Sequence, residues 1–370
     1  MSTPQECPAQ RLRFAVAGAG VIGGQHAKVI DELSDRIQLV AVIDPVLDRA
    51  DELAGRYPSS AGAQAFATLG EALDSVDVDV VVVCTPTGLH GEVAIEALRA
   101  GTHVIIEKPA ETTVAKTDLI IAAQQVAGKL VTVISQHRFD RSTEITVAAI
   151  AAGELGRLTT GIASIDWWRG QSYYDSGAWR GTWELDGGGA LMNQGVHTVD
   201  LLVATMGRPV EVFAYTATLA HERTETEDAA VGVVRFENGA LGVLHATTAA
   251  YPGLSARLQV HGDQGSVVID NDELSFIHVT PQGAVAEEKL MGSRSTSLNQ
   301  VEQYTRGPAG AAAASNPGLL SDAHRLQYEN FLAALAGTEP LRVDLQTNRQ
   351  AISIITGVYE SARTGRPVAL

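Results

Sequence analysis

Three short stretches of this 370-residue chain hold residues whose types and spacing could do chemistry. Gly18-Ala19-Gly20-Val21-Ile22-Gly23 spaces three glycines so that a backbone could close on a phosphate. Glu107-Lys108-Pro109 sets an ammonium between an acid and a proline. Gly187-Gly188-Gly189-Ala190-Leu191-Met192-Asn193-Gln194-Gly195-Val196-His197 opens on three glycines and leads to an amide and an imidazole four residues apart. On a helix such residues share a face, with Asp200 a further turn along and partly aligned. An imidazole can take up a proton near neutral pH. An amide can hydrogen-bond a hydroxyl, but it neither accepts a proton nor holds negative charge. The same stretch also suits plain helix core, with Leu191, Val196, Val199, Leu201 and Leu202 as its apolar residues. Which reading holds depends on what the first half of the chain binds.

The elements that must position these groups alternate in one rhythm through the first third. Apolar runs at 11–18, 38–44, 79–84, 103–106 and 130–134 read as strands, and 21–33, 45–56, 91–100 and 113–127 as helices. Strands apolar throughout, separated by helices, imply a parallel sheet covered on both faces. The glycine motif directly follows the first strand and opens a helix. Gly18 then permits the tight turn, Gly20 clears space for a pyrophosphate, and Gly23 lets helix and strand pack closely. Val21 and Ile22 begin the helix whose N-terminal N–H groups face the phosphates. Asp44 closes the second strand, where a carboxylate accepts hydrogen bonds from ribose hydroxyls and repels a 2′-phosphate. NAD is therefore expected as cofactor in preference to NADP. Lys108 follows a parallel strand directly, on the sheet edge where α/β ligands bind.

Beyond about residue 140 the pattern changes. Apart from a helix at 188–206, the stretch 158–280 is strand-like, with hairpin turns at Glu237-Asn238-Gly239 and Gly262-Asp263-Gln264-Gly265. This predicts an α+β unit with a large, open, mainly antiparallel sheet over 138–370, after a dinucleotide-binding unit over 1–137. Residues 307–318 read as a loop, and 321–336 and 346–363 as helices. The segment 228–248 carries apolar residues on both alternating faces, and helices can cover only one, so a homo-oligomer (dimer or tetramer) built through the open sheet face is expected. All four tryptophans, Trp167, Trp168, Trp179 and Trp183, cluster ahead of the glycine run, with Tyr173, Tyr174, Arg169 and Arg180 among them. Aromatic faces stack on sugar C–H surfaces and arginines bind hydroxyls or phosphates, so this segment, with Trp168 and Tyr174 as wall residues, suits a carbohydrate or cyclitol.

Composition narrows the partners. A formal charge of −16 opposes nucleic acid and anionic membranes alike. No apolar run approaches the ~18–20 residues that span a bilayer. Two cysteines, Cys7 and Cys84, form neither a disulfide framework nor a zinc site and suit a reducing cytoplasm. The first ten residues lack the apolar stretch of a signal peptide and read as a tail.

The glycine motif, the turn Cys84-Thr85-Pro86-Thr87-Gly88-Leu89-His90, Glu107-Lys108-Pro109 and the 187–200 segment occur in the order and spacing of the Gfo/Idh/MocA oxidoreductases, which the chain resembles from about 12 to 365. The resemblance implies an NAD(H)-dependent dehydrogenase that moves hydride between a hydroxyl-bearing carbon and nicotinamide. It makes Lys108 the lysine that touches substrate and nicotinamide, and His197 the general base beside Asn193. It places Thr85, Pro86, Thr87, His90 and Glu107 along the nicotinamide side, with Trp179 and Arg180 at the same end. Gln136 would lie near the cofactor and Arg138 near the substrate, and the Lys108–Pro109 peptide would be cis. Many relatives carry Asp where this chain has Asn193, so proton transfer falls on His197, with Lys108 beside it, and that histidine is expected to lack an anion at that position. Two other readings share the fold: an NAD-dependent glycoside hydrolase using transient oxidation, and a sugar-sensing regulator without turnover.

Overall fold

In a computed structural model the described residues are 11–280, 298–305 and 320–370; the tail expected at 1–10 and the loop expected at 307–318 lie outside them. The first sheet comprises β1 (Leu12–Ala17), β2 (Ile37–Ile43), β3 (Gln64–Phe66), β4 (Val80–Val83), β5 (His103–Ile106) and β6 (Val131–Val133). Its order is β3-β2-β1-β4-β5-β6, with every pairing parallel. The reversal of order between β1 and β4 opens a crevice at the C-terminal strand ends. Gly18, Thr85, Lys108 and Gln136 follow shortly after β1, β4, β5 and β6, so one sheet edge gathers three of the sequence motifs.

Why these runs are strands is plain from β4, whose four valines are all buried. β-Branched residues with no polar face suit a sheet sandwiched between helices. Elements unread in sequence include β3 and the helix Leu69–Ser75 here, and the helix Arg141–Ala151 beyond this sheet. Leu69–Ser75 carried a signal, since Thr68 and Glu71 form a reciprocal capping box. The chain also returns to this sheet late, for Tyr328 and Phe331 of helix Leu320–Leu335 pack beside Phe14, Val16 and Val82.

The second sheet comprises β7 (Leu158–Asp166), β8 (Pro209–Ala217), β9 (Ala229–Phe236), β10 (Leu241–Thr247), β11 (Ala256–Gly262), β12 (Gly265–Asp270), β13 (Glu273–Val279) and β14 (Val368–Ala369). Its order is β13-β12-β11-β7-β10-β9-β8-β14. Both hairpin turns read from sequence join antiparallel neighbours. The sheet is nevertheless mixed, because β7 and β10 pair in parallel. Parallel neighbours need a long crossover, and the one here carries the aromatic segment and the helix Val196–Met206. That helix and Leu345–Thr364 bury one face through Val199, Leu202, Met206, Ile354 and Val358.

The other face is bare. Tyr215, Val231, Val233, Leu241 and Val243 are 41–69% exposed, and Val233 sits opposite Val243 in the ladder. A contiguous apolar patch of this kind is costly in water. We expect dimers or tetramers in light scattering at micromolar concentration, and a lower assembly state for Val233→Asp/Val243→Asp. A monomeric wild type would refute this.

Candidate active site

At the end of β1 each glycine of the first motif meets a different constraint. Gly18 has φ +107, and a Cβ there would run into the Cys84 carbonyl. A Cβ on Gly23 would strike the Gly18 carbonyl, which fixes how closely helix Val21–Glu32 lies on the strand. Gly20 differs, since a Cβ there would meet nothing within 4 Å. Its glycine thus leaves open space beside a helix start that has no side-chain cap and no acid in its first turn. Val21, on the same edge, is 96% exposed, whereas Ile22 packs against the sheet's core. Uncapped N–H groups beside open space fit an anionic pyrophosphate. Thr85 Oγ1, buried with no hydrogen-bond partner, is a further polar atom that suits a bound cofactor.

Asp44 is anchored against this loop, with Oδ2 accepting from Ala19 N–H (3.0 Å) and Oδ1 from Val46 N–H (2.9 Å). A carboxylate has lone pairs left for two hydroxyls, and a phosphate there would meet a fixed negative charge. The efficiency with NAD is expected to exceed that with NADP by about tenfold or more, the equivalent of about 1.4 kcal/mol. Asp44→Ala should narrow that ratio; equal kcat/KM for both cofactors in the wild type would sink the assignment.

At the neighbouring strand ends, His90 ties two turns together, its ring nitrogens lying 2.8 Å from the Pro109 and Thr85 carbonyls. Thr87 is buried in the same turn, where Pro86 precedes it. The Lys108–Pro109 peptide is cis. Glu107 turns inward: Oε1 lies 3.0 Å from His26 Nε2 and 3.5 Å from His324 Nε2, while Oε2 accepts from Lys108 N–H (2.9 Å). Burial alone would raise its carboxyl, but His26 and His324 more than offset this and hold it well below the usual range. Lys108 points the other way, and its Nζ donates to the main-chain oxygen of Asn193 (2.9 Å). Burial lowers the ammonium's pKa, Glu107 and Asp186 raise it, and Arg180 and Arg169 lower it. Those four side chains therefore act on one charge.

The helix carrying Asn193 and His197 begins as a π-helical turn over Ala190–Gly195 and becomes α-helical over Val196–Met206. Simple 3.6-residue periodicity does not describe its first turn. The three glycines admit close approach by the protein itself. A Cβ on Gly187 would press on Thr112, one on Gly188 on the Tyr359 hydroxyl, and one on Gly189 on the Glu227 carbonyl. Glu227 also supplies the anion for this helix start, accepting from Gly189 N–H (2.9 Å), Leu191 N–H (2.8 Å) and the Tyr359 hydroxyl (3.0 Å). Burial pushes its carboxyl up to about 7 against the pull of those backbone donors. With a protein carboxyl already on those N–H groups, the glycine run is no phosphate cradle.

Asn193 has an anionic partner that sequence reading missed. Its Nδ2 donates to Asp186 Oδ1 (2.6 Å), and Asp186 Oδ2 accepts from Gly181 N–H (2.9 Å). The acid stands at 186 and pairs with the amide, while position 193 itself offers His197 no anion. Asp186 also fixes the amide with Nδ2 turned toward the acid, so Oδ1 is the end left to accept. His197 is held well below its usual pKa, by burial first and then by the charges of Lys108 and His137.

The aromatic segment packs beside this helix start. Arg180 stacks on Trp179 and Tyr173, with the guanidinium carbon 4.6 and 4.4 Å from the ring centres. Arg169 lies over Trp167 (5.1 Å) and donates to Gln194 Oε1 (3.1 Å), and Gln194 Nε2 donates to the Tyr173 hydroxyl (2.9 Å). Trp168 meets Tyr251 edge-on (5.3 Å). Tyr174 is buried, with its hydroxyl 2.7 Å from Thr248 Oγ1, and so belongs to the supporting layer behind Tyr173. Arg138 is committed to Asp200 by two short hydrogen bonds (2.6 and 2.7 Å). Removing one partner of a buried pair typically costs ~3–5 kcal/mol, so this arginine anchors the helix with its charge already neutralised. Gln136 is buried beside His137.

Asp186 and Glu227 gave no spacing signal, since each reaches its target through the folding of a loop. Gln194, between Asn193 and His197 in sequence, was legible only as a neighbour; its contacts to Arg169 and Tyr173 depend on the crossover.

Known proteins resemble the chain along most of its length. Residues 12–135 match the oxidoreductase family with an NAD-binding Rossmann fold, and residues 146–268 match the GFO/IDH/MocA C-terminal domain. The WlbA dehydrogenase of Bordetella pertussis, solved with NADH and UDP-GlcNAcA, is 31% identical with a TM-score of 0.82, over 98% of this chain and 99% of its own. The myo-inositol 2-dehydrogenase of Thermotoga maritima is 29% identical over 283 residues, 73% of this chain and 79% of its own length. The D-glucoside 3-dehydrogenase of Escherichia coli is 26% identical, with 97% of both chains covered.

Proposed function

The chain belongs to the Gfo/Idh/MocA oxidoreductases, an NAD-binding family, and from that premise we propose that it oxidises one hydroxyl of a sugar, sugar derivative or cyclitol, with Lys108 and His197 handling the proton. The observation that carries this reading is that Lys108, at the carboxyl edge of the first sheet on which the Gly18–Gly23 turn also lies, donates to the main chain of Asn193, one helical turn from His197. NAD, when bound, supplies the hydride acceptor. Gly18, Gly20, Gly23, the N–H groups of Val21 and Ile22, Asp44 and Thr85 are the groups that would hold it.

The chain's own residues account for the rest of the chemistry. A neutral His197 ring removes the hydroxyl proton. Lys108 donates a hydrogen bond to the same oxygen as negative charge develops on it, a stabilisation that is strong in a dry site. Asn193 Oδ1, fixed by Asp186, accepts from a neighbouring hydroxyl and orients the ring. Trp168, Tyr173 and Trp179 offer faces to the sugar's C–H surface. Arg169 has the Gln194 amide, the Trp168 carbonyl and aromatic rings as partners, and no carboxylate among the described residues. A guanidinium so placed favours substrates that carry a carboxylate or phosphate, a class to which the UDP-GlcNAcA bound by the Bordetella protein belongs.

The experiment is a panel of polyols, neutral aldoses, uronic acids and nucleotide sugars, read by appearance of reduced nicotinamide. Turnover with members of the last two groups is expected. A protein that cleaves glycosides with no net NAD reduction would instead be the hydrolase of this fold.

A further inference from the structure

The turn after β6 carries a histidine that the proposed chemistry leaves unused. His137 Nδ1 lies 2.8 Å from Asp140 Oδ2 and 3.1 Å from Asp272 Oδ1. Carboxylate oxygens accept, so this nitrogen carries a proton. Its Nε2 lies 3.3 Å from Gln136 Nε2, while Gln136 Oε1 is buried with no hydrogen-bond partner. A half-turn of the amide exchanges those two atoms. Oε1 then stands where it can accept from a protonated Nε2. A ring protonated at both nitrogens is an imidazolium.

The second carboxylate comes from the other sheet. Asp272 sits in the β12–β13 turn, where Asn271 and Asp272 have φ +48 and +66, and Ser142 Oγ donates to its main-chain oxygen (2.6 Å). Positive φ at both central residues is the ordinary geometry of a two-residue hairpin turn, and Asn and Asp suit it. What this turn delivers is a carboxylate to His137. His137 also meets His197, with ring centres 5.0 Å apart and planes at 83°.

We infer that His137 is a fixed cation, held between Asp140 and Asp272, whose edge-on contact with His197 keeps that ring uncharged and so makes it a competent base in mildly acidic conditions. The inference rests on His197 acting as the base.

The charges around both rings agree. Burial lowers the pKa of His137, but Asp140 and Asp272 overcome it and push it up to about 10. Facing His197 are Lys108 after β5 and His137 after β6, which disfavour its protonation, together with Glu107, which favours it, and His324 from helix Leu320–Leu335, which disfavours it. On its own helix Asp200 is neutralised by Arg138. Asp140 faces Asp272 and Glu144 besides His137. Two like charges at this separation repel, and His137, paired with two carboxylates, is the ring that keeps its charge.

Nitrogen-15 NMR of histidine-labelled protein between about pH 5 and pH 9 tests this without a substrate. His137→Gln and His197→Ala assign the two rings. His137 is expected in the imidazolium form throughout most of that range, and His197 as a neutral tautomer. In His137→Gln the His197 titration should move upward by about 1–2 pH, and in Asp272→Asn by less in the same direction. His137→Arg, which keeps a cation, should leave His197 neutral. A neutral His137 at pH near 7, or an unmoved His197 titration in His137→Gln, would overturn the inference. Retained turnover in His197→Ala would instead remove the base reading on which it stands, a separate result.

Discussion

Lys108→Ala is expected to lose about 10²–10⁴ in kcat, the usual worth of a positioned acid–base or hydroxyl-binding group, while still folding and binding NAD. The lysine is half-buried and belongs to no apolar cluster. Among the described residues its ammonium makes one hydrogen bond, to the Asn193 main chain, which leaves two N–H groups for a substrate oxygen. Removing it therefore deletes a donor aimed at the reacting centre and little else. Circular dichroism and NAD titration should match the wild type as turnover falls. Lys108→Arg should recover little, because a planar fork replaces a compact charge. A Lys108→Ala enzyme with near wild-type kcat would remove Lys108 from the chemistry.

His197→Ala is expected to cost a similar factor in kcat/KM and to change the form of the pH profile. Oxidation needs the neutral ring, so activity is present above the His197 pKa and lost as pH falls through it. Burial, Lys108 and His137 all push that pKa down. The acid limb should therefore lie well below the ~6.5 of a free histidine and vanish in the alanine variant, with NAD affinity unchanged. An unaltered profile and rate would make His197 a core residue and Lys108 the base. Asn193→Asp would normally raise a nearby histidine's pKa, but here it sets a second carboxyl against Asp186, from which Asn193 Nδ2 lies 2.6 Å. Carboxylates that close share a proton, so the limb is expected to move up only slightly.

The parts of the site legible in sequence are those whose reason is local. Gly18, Gly20 and Gly23 serve one strand–helix turn, and Asp44 and Lys108 stand at strand ends that apolar runs already mark. Asn193 and His197 share a helix with an obvious core. What stayed hidden depends on distant chain meeting. Asp186 reaches Asn193 by way of a loop, and Asp272 reaches His137 from a hairpin of the other sheet. Arg138 carries no mark that Asp200 will take its charge. The parallel β7–β10 pair hides for a related reason, because strand patterning records which face is buried and is silent on neighbour direction.

The three bare Cα atoms at 187–189 also set a dimensional tolerance. Each rests on a different part of the molecule: the Thr112 loop after β5, Tyr359 on the last long helix, and the Glu227 carbonyl ahead of β9. The helix start is thus seated on three stops, and it is tied to the aromatic segment as well, through Gln194 to Arg169 and Tyr173. The same seat holds the distance from His197 to Lys108, whose Nζ donates to the Asn193 main chain on this helix start. A single methyl on the seat would shift that distance by an amount on the order of 1 Å, enough to cost a reaction of this kind ~10²-fold.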